Sequence, residues 1–161
     1  MGSFFFVMKI VNHIVRIIVA LVFISSGLAK LFPIEPFEIV FVDLGVANWL
    51  MAPFLARFII AAELFLGLSI LFNVWLKNKI YYLTQASLQI FTVYLIYLLI
   101  TKGNTADCGC FGSFLSLSPT ASIIKNGILL GLMVFINKKN TSVTKRWLQL
   151  LFIVIAFVST F

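Results

Sequence analysis

The sequence predicts an all-α, polytopic membrane protein: a four-transmembrane-helix bundle followed by a partial or fifth carboxy-terminal helix. Three observations lead there. Of the 161 residues, 62% are hydrophobic and only 11% charged, with a mean hydropathy of +1.13, a composition outside the range of soluble domains. Apolar runs recur at lengths close to the about 20 helical residues that cross roughly 30 Å of hydrocarbon. Trp49, Trp75 and Trp147 fall at the ends of those runs, where an interfacial aromatic belt would sit.

The first span is expected over residues 10–32, the second over 52–74, the third over 80–101 and the fourth over 121–137. Ser118-Pro119 reads as an N-cap followed by proline at the first helical position, the start of the fourth span. The last run, 147–161, would reach only about 22 Å at 1.5 Å per residue, short of a full crossing. Either it tucks against the bundle or a longer protein continues beyond it, and the length deficit favours the second. A cleaved signal peptide is not expected, because the first run is of full crossing length and no small-residue cleavage site follows it. Residues 1–137 are thus expected to form the four-helix membrane domain. Residues 138–161 are expected to supply a cytoplasmic basic loop and a fifth helix leading toward an extracytoplasmic domain outside this chain.

Charge sets the orientation. Lys9 and Arg16, then Lys77 and Lys79, then Lys138, Lys139, Lys145 and Arg146 all fall on one side of the spans. The loop after the first span carries Glu35, Glu38 and Asp43 without a cation, and the loop after the third carries only Lys102 beside Asp107. The positive-inside rule then puts the amino terminus in the cytoplasm and the loop after the third span outside, as in a bacterial inner membrane. The net charge of +7 is topogenic on this reading, so nucleic acid is not an expected partner and the lipid bilayer is.

That outer loop holds the only two cysteines, in Asp107-Cys108-Gly109-Cys110-Phe111-Gly112. An outward-facing loop lies in an oxidising compartment, where disulfides persist. A Cys108–Cys110 disulfide would close a very small ring and so add little as a staple, while strained, exposed disulfides are the labile, oxidising ones. Gly109 allows the backbone to bend. Asp107 disfavours a thiolate and Lys102 would compensate; Cys110, nearer the start of the fourth span, is the better placed to feel that helix's positive end. A redox-active pair is the leading reading, ahead of structural cysteines or metal ligands. No metal site is expected, since a closed zinc site needs four ligands and the sole histidine, His13, lies at the opposite face.

Among the ionisable residues within the spans, Arg16, Lys30, Arg57 and Glu63 stand out. Such residues pair, or line a pathway. Lys30 and Arg57, near outer ends, are expected to snorkel. Glu63, near the middle of the second span, needs a partner, and with the first two spans antiparallel the depths predict that Arg16 and Glu63 approach each other. Gln85, Gln89, Tyr94 and Tyr97 are candidates to line a pocket between helices or to hold helices together. Gly27, Gly67, Gly127 and Gly131 would permit close helix approach, the last two at small-xxx-small spacing.

Arg16, the run Phe23-Ile24-Ser25-Ser26-Gly27-Leu28-Ala29-Lys30, Glu63 and the Cys-Gly-Cys-Phe-Gly run together resemble the DoxX and MauE-like group of small membrane proteins, over roughly the first 137 residues. The resemblance implies a four-helix core and a redox-associated role in the cell envelope. In the MauE branch that role is maturation of a disulfide-rich periplasmic partner; other DoxX relatives are associated with quinone-linked sulfur oxidation. The main expectation is therefore a membrane thiol–disulfide redox protein. In it Cys108 and Cys110 exchange with an extracytoplasmic thioredoxin-like or cysteine-containing partner, and electrons pass to a quinone. The alternatives are a non-catalytic scaffold or maturation factor, in which the cysteines only shape a docking loop, and a transport role resting on Glu63.

Overall fold

A computed structural model describes residues 2–72, 79–104 and 117–137, together with positions 154, 155, 158 and 160. Cys108, Cys110 and most of the expected fifth span lie outside the described residues. Those described form five helices: α1 (Gly2–Leu31), α2 (Glu35–Asp43), α3 (Ala52–Leu71), α4 (Lys79–Lys102) and α5 (Pro119–Asn137). Four are long and apolar enough to cross a bilayer, over Phe6–Leu31, Ala52–Leu71, Lys79–Lys102 and Pro119–Ile136, as predicted. The protein is an integral membrane protein of all-helical fold.

α1 and α3 run antiparallel and in close contact. A Cβ on Gly27 would lie 2.9 Å from Leu64 Cδ2, and one on Gly67 would lie 2.8 Å from Ile24 Cγ1 and 3.1 Å from the Ile24 backbone nitrogen. Two residues without a side chain thus let the backbones approach and fix their register. Gly127 and Gly131, expected to act the same way, meet no atom within 4 Å at their Cβ positions. In the described residues they sit on the outer face of α5 and close no contact.

α4 and α5 are also antiparallel, with Asn126 Nδ2 donating to Thr92 Oγ1 at 3.3 Å. Thr92 in turn donates to the Leu88 carbonyl at 2.7 Å, so the interhelical bond leaves both hydroxyl functions used. Away from α2, one apolar cluster joins four helices: Val19, Ala20 and Phe23 of α1, Leu66 and Ile70 of α3, Ile80, Tyr81 and Leu88 of α4, and Leu129, Met133 and Ile136 of α5. As expected, α5 starts at Pro119, with Ser118 Oγ accepting from the Ala121 N–H at 3.4 Å.

α2 is an addition to the predicted elements. Pro36 and the acidic Glu35 and Glu38 occupy its first turn, where fixed φ and negative charge both favour a helix start. At the other end Gly45, at φ +66, donates to the Val42 carbonyl and Val46 to the Phe41 carbonyl, at 2.9 and 3.1 Å. That is a Schellman stop, with glycine supplying the left-handed residue. Phe37 and Phe41, edge to face at 5.0 Å, pack over the small Ala52 and Ala56 of α3 together with Ile60 and Leu64. Glu38–Arg57 at 3.1 Å and Asp43–Lys102 at 3.4 Å fasten α2 to α3 and α4.

Candidate functional site

The α2 end of the bundle gathers the carboxyl ends of α1 and α4 and the amino ends of α3 and α5. Lys30, in the last turn of α1, turns inward there. Its Nζ donates to Glu63 Oε1 and Oε2 at 2.6 and 2.7 Å and to Ser26 Oγ at 3.0 Å, so all three ammonium hydrogens have acceptors. Ser26 also donates to Glu63 Oε2 at 3.3 Å. The same ammonium lies over the rings of Phe91 and Phe37, 4.7 and 5.4 Å from their centroids, a cation–π arrangement with the charge out of water. Lys30 thereby links α1, α2, α3 and α4 at one point. Its side chain is 1% exposed and that of Glu63 9%.

The close approach at Gly27 and Gly67 produces this pair. Glu63 comes level with Gly27, one residue from Ser26 and three from Lys30, and Ser26 and Lys30 share an α1 face at i, i+4 spacing. The predicted partner of Glu63, Arg16, lies eleven residues from Gly27, roughly 16 Å along α1. In that register it falls about one turn beyond Leu71, where α3 ends. The Arg16–Glu63 pairing is therefore replaced by Lys30–Glu63. Depths counted from span ends gave the wrong register; the contacts of Gly27 with Leu64 and of Gly67 with Ile24 set it instead. Arg16 is half-buried, and its Nε meets no hydrogen-bond partner among the described residues. Lys30 and Arg57 do not snorkel free: one is buried against Glu63, the other holds Glu38.

Two spaces meet at Glu63. A cavity of about 30 Å³ lies between α1, α3, α4 and α5, where Ser26, Lys30, Glu63, Ser87, Lys125 and Asn126 meet apolar side chains such as Val22, Phe23 and Leu129, with room for about one water. On the other side of Glu63, Ser87 and Phe91 opens an apolar cleft of about 340 Å³, walled by Phe37, Val40 and Phe41 of α2, Ile59 and Ala62 of α3, and Ile90 and Tyr94 of α4. Through Val40, Leu44 and Tyr94 it adjoins a more polar space of about 470 Å³ that runs between α2 and α4 past Tyr97 and Thr101 to Asp43 and Lys102. Tyr94 and Tyr97 line a pocket, as the sequence suggested. Gln85 instead donates to the Tyr81 hydroxyl at 3.0 Å, and Gln89 is exposed.

Cys108 and Cys110 lie outside the described residues, as does Asp107. The chain on either side of them is fixed: Asn104 Oδ1 accepts from the backbone N–H and the hydroxyl of Thr120, at 3.3 and 2.8 Å. The described ends of α4 and α5 that border the connection therefore lie side by side, with Lys102 two residues before Asn104. Lys102, expected to compensate Asp107, pairs with Asp43. Among the described residues no cluster of three His, Cys, Asp or Glu side chains is placed to hold a metal. Sequence reasoning missed Phe37, Ser87 and Phe91, and Ser26 entered only through the resemblance, without a role; the signal for the pairing level was Gly27, where α1 and α3 approach beside Glu63.

The family model for methylamine utilisation protein MauE matches residues 8–137, and the chain belongs to that family. Protein TlpB of Flavobacterium psychrophilum is 36% identical over 131 residues, covering 77% of this chain and 35% of the relative. The chain thus spans about a third of the length of that curated relative. No solved structure matches.

Proposed function

We propose that this member of the MauE family is a membrane thiol–disulfide redox protein. Its Cys108–Cys110 pair exchanges electrons with a thioredoxin-like or other cysteine-containing partner outside the cytoplasm, and a membrane quinone takes or supplies those electrons. In the exchange, a thiolate of one molecule attacks a sulfur of the other's disulfide, and the mixed disulfide is resolved by the neighbouring thiol. The dithiol that is oxidised gives up two electrons and two protons for each disulfide made.

The observation that supports this most is the pinning of residues 104 and 120 to each other. It brings together the two described ends of the connection whose sequence carries both cysteines of the chain. The charge distribution supports an orientation with the amino terminus in the cytoplasm and this end outside. MauE membership supports an envelope role, with maturation of a partner protein as its setting.

The test is the reduction potential of the pair in membranes, set by glutathione buffers and read by a mass-shifting alkylating reagent. A reversible two-electron couple at roughly −120 to −230 mV, the range of disulfide-exchange catalysts, is the expected outcome. A pair that stays thiol throughout, or stays disulfide below about −300 mV, ends the catalytic reading and leaves a scaffold that docks its partner through the same segment. Replacing both cysteines by serine then separates the two: the redox reading loses partner oxidation while partner association persists.

A further inference from the structure

We infer that the cleft between α2 and α4 is the seat of a lipid-soluble quinone ring, with Glu63 and Ser87 as its polar partners. The inference rests on the redox reading above and gives its membrane acceptor a place. Small-molecule sites are concave, mostly apolar, and hold a few convergent polar groups. At about 340 Å³ the cleft falls at the small end of the usual range of roughly 300–1,000 Å³.

The lining selects the ligand. Phe37, Phe41, Phe91 and Tyr94 present aromatic surface, which suits a planar ring in stacked or edge-on contact. Ile90 and Val46, on the lips, are themselves exposed apolar residues, so an apolar tail can leave sideways into hydrocarbon. Two of the lining residues, Glu63 and Ser87, carry polar groups that differ in kind. The Ser87 hydroxyl can donate to a ring carbonyl, and the Glu63 carboxylate can only accept, as from the hydroxyl of the reduced ring. Lys30 holds that carboxylate in place from the opposite side, at 2.6 and 2.7 Å, and turns no hydrogen of its own toward the cleft. A quinone–quinol couple uses both kinds of partner in turn. When the dithiol of Cys108 and Cys110 becomes the disulfide it loses two electrons and two protons, and the quinone gains two electrons and two protons to become the quinol.

The full chain in phospholipid nanodiscs, irradiated with an azido-substituted benzoquinone bearing a ten-carbon tail, tests this by mapping adducts in peptides. Labelling of α2 or α4 residues on the cleft wall is expected. It should fall at least tenfold in Ala62→Phe, which fills the cleft with a ring and leaves Lys30 and Glu63 untouched. Ile90→Trp narrows the mouth from an exposed position that no core contact depends on, and it should lower labelling several-fold even where Ala62→Phe disturbs folding. Label spread over lipid-facing residues, or label insensitive to both substitutions, overturns the seat. Absence of label in a chain whose cysteine pair exchanges with glutathione overturns the seat while the redox reading survives. Cleft labelling in a chain whose pair does not exchange upholds the seat and ends the redox reading.

Discussion

Lys30–Glu63 and Lys102–Asp43 both join a lysine in the last turn of a long helix to a carboxylate near α2, yet they are different kinds of interaction. The first is 2.6 Å long with side chains 1% and 9% exposed; the second is 3.4 Å long with side chains 57% and 55% exposed. In the buried pair each charge has given up water and depends on the other, on Ser26 and on two aromatic rings. In the exposed pair water is a ready substitute for either partner. The lesson is that membrane depth alone does not give an ionisable residue its role; enclosure by neighbouring helices does.

The strongest way to break the comparison is Lys30→Met. It should cost about 3–5 kcal/mol, because Glu63 is left as an uncompensated buried charge, and the thermal midpoint of the full chain in detergent micelles should fall accordingly. The double variant Lys30→Met/Glu63→Gln should recover most of that loss, since replacing both members of a buried pair is often close to neutral. A double variant as unstable as the single would show that the two charges do not act as a unit.

A smaller effect isolates the register that makes the pair. Gly67→Ala puts a methyl against the Ile24 backbone nitrogen, which cannot move aside as a side-chain tip can, and should cost about 1–3 kcal/mol by overpacking. Gly131→Ala meets open space and should be neutral, or stabilising by up to about 1 kcal/mol through helix propensity. Equal losses at the two sites, measured by the same melting assay, would refute the assignment of close packing to α1–α3 alone.

The smallest effect is at the exposed pair. Lys102→Ala should cost about 0–1 kcal/mol, and raising the salt concentration should erase the difference from wild type. The same salt titration should leave the Lys30→Met deficit standing, because a buried pair is screened far less.

The four spans were legible in the sequence because crossing a bilayer imposes a length and a composition, and both can be read locally. The start of α5 at Pro119 was legible for a similar reason, since a cap followed by proline is a local signal. α2 was not. Its nine residues are too few to cross, and their apolar face has meaning only once Ala52 and Ala56 of α3 provide a surface for Phe37 and Phe41. The cysteine pair stood out by spacing and place in the sequence, and the pinning of Asn104 to Thr120 could not, because it depends on α4 and α5 ending side by side.

By itself, then, the sequence determined that this is a helical membrane protein with four crossing segments, that Glu63 requires a partner, and that two cysteines share one short connection. These follow from solvation: hydrocarbon tolerates neither open backbone nor a lone charge. Tertiary structure alone decided that the partner is Lys30, fourteen residues along α1 from the expected Arg16, and that a cleft opens beside the pair. A charge in the membrane takes the partner that helix register brings to it. That register was set by how closely two backbones approach at Gly27 and Gly67, a property of two helices together that neither segment carries alone.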